Sequence, residues 1–319
     1  MQNKHTAQHL TQLQSLPLHL KIKMTEARIE GWYEHYKGKV YVSFSGGKDS
    51  TVLLHIARQL YPDIEVVFCD TGLEFPEIKE FVKSIDNVTI IRPEMGFKEV
   101  IEKYGWCYPS KEVSKRVKEY RKGHKTAKLI FRGEYWQKDI YKLRAIKWKF
   151  LLQAPFKISD ECCNIMKKRP FKQYVKHSKN NRIDGCMANE SQLRKQSWIK
   201  YGCNHTDSET PRSQPLSFWT EQDILQYILF YKLQIASIYG NIIYNPQNGK
   251  YTTTGERRTG CIFCPVGAHL DKPNKFQRIA ITHPRLHKYC MDDLELKWFL
   301  EYLRIPTGLE KDKREEVLF

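Results

Sequence analysis

The residues best suited to binding a phosphate lie in one short segment, 45–50, which reads Ser-Gly-Gly-Lys-Asp-Ser. Its two glycines let the backbone approach a ligand with no side chain in between. Free amides at the start of a helix, together with the helix dipole, favour an anion there. Lys48 adds a mobile cation, and Asp49 offers a carboxylate for a magnesium ion. We therefore expect nucleotide binding in this loop, with Lys48 and Asp49 as the catalytic pair.

One simpler interpretation of this loop competes with nucleotide binding. A plain strand-to-helix turn explains the glycines but leaves the neighbouring Ser, Lys, Asp and Ser unexplained. The segment is also not a Walker loop, which has four residues between its glycines and ends in Lys-Ser or Lys-Thr. Asp70, at the end of the next predicted strand, is placed to contact nucleotide or metal, although it also suits a turn before Thr71 and Gly72.

The nine cysteines include two pairs, Cys162-Cys163 and Cys261-x-x-Cys264. Four thiolates are enough for a zinc site or an iron–sulfur cluster. The adjacent pair argues against an ordinary zinc ribbon, which uses two spaced pairs. The alternative is four unrelated buried thiols, because free cysteine packs well as a small apolar side chain. The remaining five have no such pairing, and core packing is the default expectation for most of them: Cys69, Cys107, Cys186, Cys203 and Cys290.

The elements that must position these residues alternate between strand and helix. Apolar runs predict strands at Val40–Phe44, Ile64–Phe68 and Val88–Ile91, with an amphipathic helix after each of the first two. A further strand and turn are predicted at 182–187, and Thr220 is a good N-cap for a helix. This alternation favours an α/β fold, with a parallel sheet covered by helices on both faces. Residues 1–18 suggest a loose lead-in, and residues 245–260 suggest a mobile loop.

Residues 111–149 stand apart from this pattern because of their charge. They hold fourteen basic and four acidic residues, a net charge of +10, interleaved with Trp136, Tyr141 and Trp148. Such a segment tracks a nucleic-acid backbone, and its aromatic side chains stack on bases. A solvated helical face is the alternative, although such faces usually mix charge signs more evenly. We expect a helical insertion outside the sheet that contacts DNA or RNA.

These features suggest a division into three parts. Residues 1–24 form an N-terminal lead-in, residues 25–240 form the nucleotide-binding domain with its basic insertion at 108–152, and residues 241–319 form a small C-terminal region with the Cys-x-x-Cys pair. The net charge of +17 favours polyanionic partners. With no apolar run of about 18 residues and no secretory signal pattern, the sequence predicts a cytoplasmic protein without a membrane partner.

Several segments carry a family resemblance. The loop at 45–50 resembles the PP-loop of the adenine-nucleotide α-hydrolase superfamily, whose members typically cleave ATP between the α and β phosphates. Residues 162–171, 185–194 and 215–224 resemble three successive segments of the phosphoadenosine phosphosulfate (PAPS) reductase family: Cys-Cys-x-x-x-Lys-x-x-Pro-Leu, Gly-x-Arg-x-x-Glu-Ser-x-x-Arg and Pro-Leu-x-x-Trp-Thr-x-x-Asp-Ile. The resemblance covers roughly residues 25–270, with these segments in the expected order.

This resemblance implies a Rossmann-like α/β/α sandwich and a 4Fe–4S cluster, together with ATP and Mg²⁺ as ligands. The implied cluster ligands are Cys162, Cys163, Cys261 and Cys264. The implied nucleotide-binding residues are Ser43, Ser45, Gly46, Gly47, Lys48, Asp49, Ser50, Asp70 and Arg194.

The chain also departs from true sulfonucleotide reductases. Those enzymes usually have a degraded loop, whereas Lys48 and Asp49 are both present here. They also carry a catalytic cysteine in a C-terminal Glu-Cys-Gly-Leu-His segment, and no such segment surrounds Cys290. The leading hypothesis is an AMP-forming ATP pyrophosphatase that activates a substrate for cluster-assisted sulfur transfer, on nucleic acid and with a sulfur donor protein. The alternatives are a phosphoadenylyl-sulfate reductase and a non-catalytic nucleic-acid-binding regulator.

Overall fold

A computed structural model of the chain describes residues 4–134, 146–206 and 210–308. The chain forms two compact units, each made of two separated stretches. Unit 1 comprises Met1–Pro93 and Arg169–Gly260, and unit 2 comprises Glu94–Lys168 and Cys261–Phe319. The division expected from sequence followed linear order instead, and its boundaries stay a prediction.

Unit 1 is organised around a six-stranded sheet with the order β3-β2-β1-β4-β6-β5. All neighbours pair in parallel except β5 and β6. The predicted α/β fold with a mostly parallel sheet is therefore confirmed. The strands are β1 Val40–Phe44, β2 Glu65–Cys69, β3 Val88–Ile91, β4 Asn181–Asp184, β5 Asn204–His205 and β6 Arg212–Ser213.

Helices make up most of the remaining described chain. The α-helices are α1 Ala7–Gln14, α2 Leu18–His35, α3 Lys48–Leu60, α4 Pro76–Lys83, α5 Phe97–Tyr104, α6 Lys111–Arg121, α7 Lys125–Arg132, α8 Glu161–Cys163, α9 Arg169–Ser178, α10 Gln192–Tyr201, α11 Glu221–Phe230, α12 Lys275–Thr282, α13 Pro284–Asp292 and α14 Leu296–Tyr302. A π-helical segment spans Asn164–Lys168, and 3₁₀ segments span Lys149–Gln153, Ala188–Glu190 and Ser237–Tyr239.

The core of unit 1 forms where the predicted apolar patterns meet. Val42 at the centre of β1 is fully buried and pairs with Val66 of β2 and Ile183 of β4. In α3 the residues Val52 and Ile56 are also fully buried, because a spacing of four places them on the same helix face. These contacts fix the strand and the helix that flank the loop at residues 45–50.

Two expectations for unit 1 are wrong. The lead-in is not loose, because residues 7–14 form α1, whose N-terminus is capped by the Thr6 hydroxyl accepting from the His9 amide at 3.1 Å. Residues 245–260 are not simply a mobile loop, because β7 Ile242–Asn245 pairs with β8 Lys250–Thr253 as an antiparallel hairpin. The Gln222 side chain anchors this hairpin. Its amide oxygen accepts from the Tyr251 N–H at 2.8 Å, and its amide nitrogen donates to the Tyr251 carbonyl at 2.9 Å.

Unit 2 has an aromatic core around Phe299, whose ring centroid lies 5.5 Å from that of Trp106 and 4.6 Å from that of Phe156. The described part of the basic insertion is largely helical, in α6 and α7, and contributes no strand to the sheet. Trp136 and Tyr141 of that insertion lie outside the described residues. In the described ranges of both units, no helix is long and apolar enough to cross a membrane.

Candidate functional site

The loop at residues 45–50, which is predicted to bind phosphate, leaves the sheet where the strand order reverses. From β1 the chain continues to β2 and β3 on one side, while β4 and β6 lie on the other. Ligands of open parallel sheets bind outside the carboxyl ends of the strands at such a reversal. The segments that leave there are residues 45–50 after β1 and residues 185–191 after β4. Gly185 allows their close approach, because a Cβ at this position would lie 3.2 Å from the Asp49 carbonyl oxygen.

Inside the loop, short contacts hold a turn that requires glycine. Gly46 has a φ of +69°, and a Cβ there would lie 2.7 Å from Cγ2 of Ile78. The hydroxyls of Ser45 and Ser50 lie 3.0 Å apart, and the Ser50 hydroxyl donates to the Gly47 carbonyl at 2.8 Å. These serines therefore shape the loop, and their predicted role in binding phosphate stays a prediction.

Lys48 is enclosed by the protein, with 4% of its side chain exposed. Its Nζ donates to the Arg257 carbonyl oxygen at 2.8 Å and lies 3.5 Å from Glu221 Oε1. The Tyr239 hydroxyl accepts from the Lys48 amide at 3.3 Å, and its ring centroid lies 5.6 Å from Nζ. The interpretation of Lys48 as a mobile cation is therefore wrong for this conformation, because Glu221 and Arg257, both distant along the chain, hold its ammonium.

Asp49 has a carboxylate oxygen that suits a cation. Its Oδ1 is buried and makes no hydrogen bond within the described residues, and it lies 3.9 Å from Lys48 Nζ. Burial raises the pKa of Asp49, the Lys48 charge opposes that rise, and the negative charges of Glu190 and Glu221 add to it. Because carboxylate oxygens are the ligands that Mg²⁺ prefers, this orphaned oxygen fits a magnesium ion.

Asp70 sits just beyond β2 and is engaged by two cations. Its Oδ1 is 2.9 Å from Lys79 Nζ, and its Oδ2 is 3.4 Å from Arg92 Nε. The Gly72 amide donates to Oδ1 at 3.2 Å, which is the turn that the sequence left as an alternative. Burial alone would raise the pKa of Asp70, but the hydrogen bond and charge of Lys79, with help from Gly72 and Arg92, hold it below its usual value. Its predicted contact with nucleotide stays a prediction.

The two remaining predicted nucleotide-binding residues lie at the same strand-order reversal. Ser43 is in β1 and pairs with Asp184 of β4, so it lies just before the loop. Arg194 is in the first turn of α10 and forms an ion pair with Glu190. The Glu190 carboxylate also accepts from the Met187 amide at 2.9 Å. The ion pair thus holds the Arg194 side chain against the segment 185–191 that follows β4.

The four predicted cluster ligands, Cys162, Cys163, Cys261 and Cys264, all belong to unit 2. Burial raises the pKa of the Cys162 thiol, and the other three add to that rise, as does a fifth neighbour, Cys107. Lys275 Nζ fixes the Cys-x-x-Cys turn by donating to the carbonyl oxygens of both its cysteines at 2.8 Å. Five thiols are therefore close enough for their charges to interact, and the sequence did not single out Cys107 as one of them.

This gathering stops short of a formed metal site. Across residues 4–134, 146–206 and 210–308, no group of three or more Cys, His, Asp or Glu side chains has the arrangement of metal ligands. The chemistry of the donor set fits an iron–sulfur group, and cluster binding stays a prediction. Cys290 is a different case: it is buried, its Sγ donates to the His287 carbonyl at 3.2 Å, and burial raises its pKa to about 12. It is a core thiol, as expected.

Some charges of the basic insertion serve the structure of unit 2. Arg121 donates to four carbonyl oxygens at 2.6–3.3 Å, those of Leu151, Leu152, Ala154 and Phe156. Lys118 pairs with Asp160 at 2.5 Å and with Glu161 at 2.7 Å, immediately before the cysteine pair. Three other lysines on α7 and just before it are exposed, and we call them the exposed lysine triad: Lys122, Lys125 and Lys128.

Sequence reasoning missed the residues that enclose Lys48, namely Glu221, Tyr239 and Arg257, and also Thr259, which bonds to Tyr239. Tyr239 and Thr259 share a hydroxyl–hydroxyl hydrogen bond of 2.6 Å, and Arg257 pairs with Glu221 at 2.9 Å. The only available signal was the turn-rich composition of residues 245–260 next to a capped helix. Glu221 and Arg257 also line a polar pocket of about 330 Å³, together with Asn189, Thr220, Gln222, Asn248, Lys250, Tyr251 and Thr252.

The chain is similar in sequence to several known proteins. The profile of the phosphoadenosine phosphosulfate reductase domain matches residues 39–266. An uncharacterized protein of Methanocaldococcus jannaschii is 25% identical over 303 residues, which cover 90% of this chain and 58% of that protein. The adenosine 5'-phosphosulfate reductase of Geobacillus kaustophilus is 24% identical over 196 residues, 61% of this chain and 65% of that enzyme. The chain thus spans about six-tenths of the length of each of these two relatives.

One solved structure with a similar fold is the phosphoadenylyl-sulfate reductase of Candida auris in complex with phosphate. It superposes with a TM-score of 0.39 at 14% identity, covering 73% of this chain and 90% of that one.

Proposed function

Because the chain belongs to the family of phosphoadenosine phosphosulfate reductase domains, we propose that it uses this fold as an AMP-forming ATP pyrophosphatase. It would join AMP to a substrate, release pyrophosphate and so activate that substrate for sulfur transfer. The observation that carries the proposal is the complete loop at 45–50, with Lys48 and Asp49 both present, at the strand-order reversal. A protein that only bound a phosphosulfate would not need this pair.

The chain's own groups account for stabilisation of the leaving pyrophosphate. The start of α3 presents backbone amides at the positive end of the helix dipole, which favours phosphate oxygens. The Lys48 amide already meets an oxygen, the Tyr239 hydroxyl, at 3.3 Å. A phosphate oxygen would replace that hydroxyl, and the Lys48 ammonium would turn from the Arg257 carbonyl towards the developing charge. Such preorganised donors are worth about 10²–10³ in rate each.

Two bound groups would complete this chemistry. The orphaned Oδ1 of Asp49 is the atom that would hold Mg²⁺ beside the phosphates. The four predicted cysteine ligands would hold the 4Fe–4S cluster, whose iron would assist the transfer of sulfur delivered by a donor protein. A cytoplasmic setting suits these thiols, because that compartment keeps them reduced.

Labelled ATP tests the proposal. Anaerobically purified protein should convert ATP into AMP and pyrophosphate in the presence of Mg²⁺, and Lys48→Met should lower that rate at least about 10²-fold. Methionine keeps the length of the buried stem while removing the charge, so the fold should survive. Lys23→Met on the exposed face of α2 is the matched control. A wild-type protein that leaves ATP intact, or a Lys48→Met variant with full activity, contradicts the proposal.

A second candidate is phosphoadenylyl-sulfate reduction, favoured by the relationship to the adenosine 5'-phosphosulfate reductase. The buried Cys290 argues against it, because a thiol whose pKa is raised to about 12 is a poor nucleophile. Release of sulfite from phosphoadenylyl sulfate, with ATP left unreacted, would support this candidate over the first. If neither reaction occurs, the non-catalytic regulator remains.

For partners, we propose an adenylyl nucleotide, a nucleic acid bound through residues 111–149, and a protein that donates sulfur. The exposed lysine triad supports the nucleic-acid contact, because its three charges face solvent on and beside one short helix. Lys118 and Arg121 do not support that contact, since carboxylates and carbonyl oxygens within unit 2 already engage them.

A further inference from the structure

The carboxylate of Glu221 lies between two cations. Its Oε1 is 3.5 Å from Lys48 Nζ, and its Oε2 accepts from the Arg257 guanidinium at 2.9 Å. Arg257 also contacts Lys48 directly, because its carbonyl oxygen accepts from Lys48 Nζ at 2.8 Å. Each of the three residues therefore touches the other two, and the loop lysine is the member that they enclose.

Of the three residues, Glu221 stands on the most firmly anchored element. It is the first residue of α11, whose start is fixed by a capping box. The Thr220 hydroxyl accepts from the Asp223 amide at 3.4 Å, and the Thr220 amide donates to the Asp223 carboxylate at 2.7 Å. That carboxylate also pairs with the buried Lys21 at 2.7 Å. Arg257, by contrast, lies in an irregular segment beyond β8, with 73% of its side chain exposed.

We propose that Glu221 is a positioning residue, which orients the Lys48 ammonium and does not itself touch the reacting atoms. The inference rests on the proposed function, in which Lys48 neutralises the departing pyrophosphate. A lysine ammonium sits on a flexible four-carbon stem, so its place must be set by neighbouring groups. Misplacement by about 1 Å can cost about 10²-fold in rate.

The charge of Glu221 supports this role. Burial alone would raise the pKa of Glu221, but the Arg257 hydrogen bond and the Lys48 charge hold it below its usual value. The group is therefore ionised at neutral pH. An ionised carboxylate beside a phosphate site repels ATP, so its presence there costs affinity. Its benefit must then lie in the placement of Lys48.

Glu221→Gln separates these two effects. The variant should lower kcat for AMP formation by about 10- to 100-fold, while KM for ATP stays unchanged or falls. A residue with a merely structural role would not produce this split. Glu221→Asp keeps the charge and should recover part of the lost kcat. Glu80→Gln, at an exposed position of α4, is the matched control.

A binding cycle tests whether Glu221 acts through Lys48. The affinity for α,β-methylene-ATP is measured in four proteins: wild type, Glu221→Gln, Lys48→Met and the double variant. Direct charge repulsion alone gives the same fold-change for Glu221→Gln in both backgrounds. Action through Lys48 makes the two fold-changes differ by more than about threefold, beyond ordinary additivity error.

The outcomes decide between the ideas. Equal fold-changes in both backgrounds, together with a wild-type kcat for Glu221→Gln, overturn the positioning role. A wild-type protein that makes no AMP overturns the proposed function instead, and the binding cycle still judges the coupling. If Glu221→Gln lowers the midpoint of thermal unfolding, both measurements are made at a temperature well below that midpoint.

Discussion

The buried ion pair between Lys21 and Asp223 gives the sharpest prediction about stability. Lys21 Nζ lies 2.7 Å from Asp223 Oδ2 and also donates to the Gln14 carbonyl at 2.7 Å, and only 2% of the lysine side chain and 10% of the aspartate side chain are exposed. Lys21→Met removes the ammonium and leaves a buried carboxylate without its cation. Breaking a buried pair in this way costs about 3–5 kcal/mol. The pair matters for the site because Asp223 caps the helix that carries Glu221.

Urea unfolding followed by circular dichroism measures this cost. With an m-value of about 3 kcal/mol/M, the midpoint should fall by about 1 to 1.7 M. Lys23→Met is the control, since it makes the same change on an exposed face of the same helix and should move the midpoint little. The double variant Lys21→Met/Asp223→Asn should lose less than the sum of the two single variants, because neither charge is left unpaired. Equal midpoints for the Lys21 and Lys23 variants would show that the buried pair does not stabilise the fold.

Three further predictions concern metal, nucleic acid and pH. Anaerobic protein should contain about four irons per chain, and serine at any of the four predicted ligands should bleach it; one zinc and no iron would contradict the cluster. Replacing each lysine of the exposed lysine triad with glutamate should weaken RNA or DNA binding and flatten its salt dependence. The control is the charge-matched variant Lys23→Glu/Lys172→Glu/Lys176→Glu. Equal affinities of the two variants for nucleic acid would mean that the triad does not contact it. Burial, His9 and nearby cations lower the pKa of His5 below 6.5. Its contribution to stability is therefore present above pH 6.5 and is lost as pH falls through the lowered pKa. His5→Gln should reduce this loss in urea titrations at pH 7.5 and 5.5, and an unchanged pH dependence in the variant would contradict the role of His5.

Local chemistry in the sequence was enough to predict much of unit 1. The bounds of β1 and β3 came from short runs of β-branched and aromatic residues, which need only a pleated, buried surface to be satisfied. The Thr220 cap and the helix after the loop followed in the same way, because capping and a 3.6-residue period involve residues a few positions apart. The position of the loop between a strand and a helix was therefore readable without any tertiary contact.

The failures share one physical cause, which is distance along the chain. No residue near Lys48 in sequence indicates that Glu221, Tyr239 and Arg257 enclose it. The segment around Lys48 has the composition of a surface loop, yet the Lys48 ammonium is buried. In the same way, composition counted Arg121 among charges for nucleic acid, whereas the fold turns its guanidinium towards carbonyl oxygens of the following segment. Periodicity and spacing encode what a residue requires of its immediate neighbours. Which distant group meets that requirement is decided only when the sheet and helices bring the segments together.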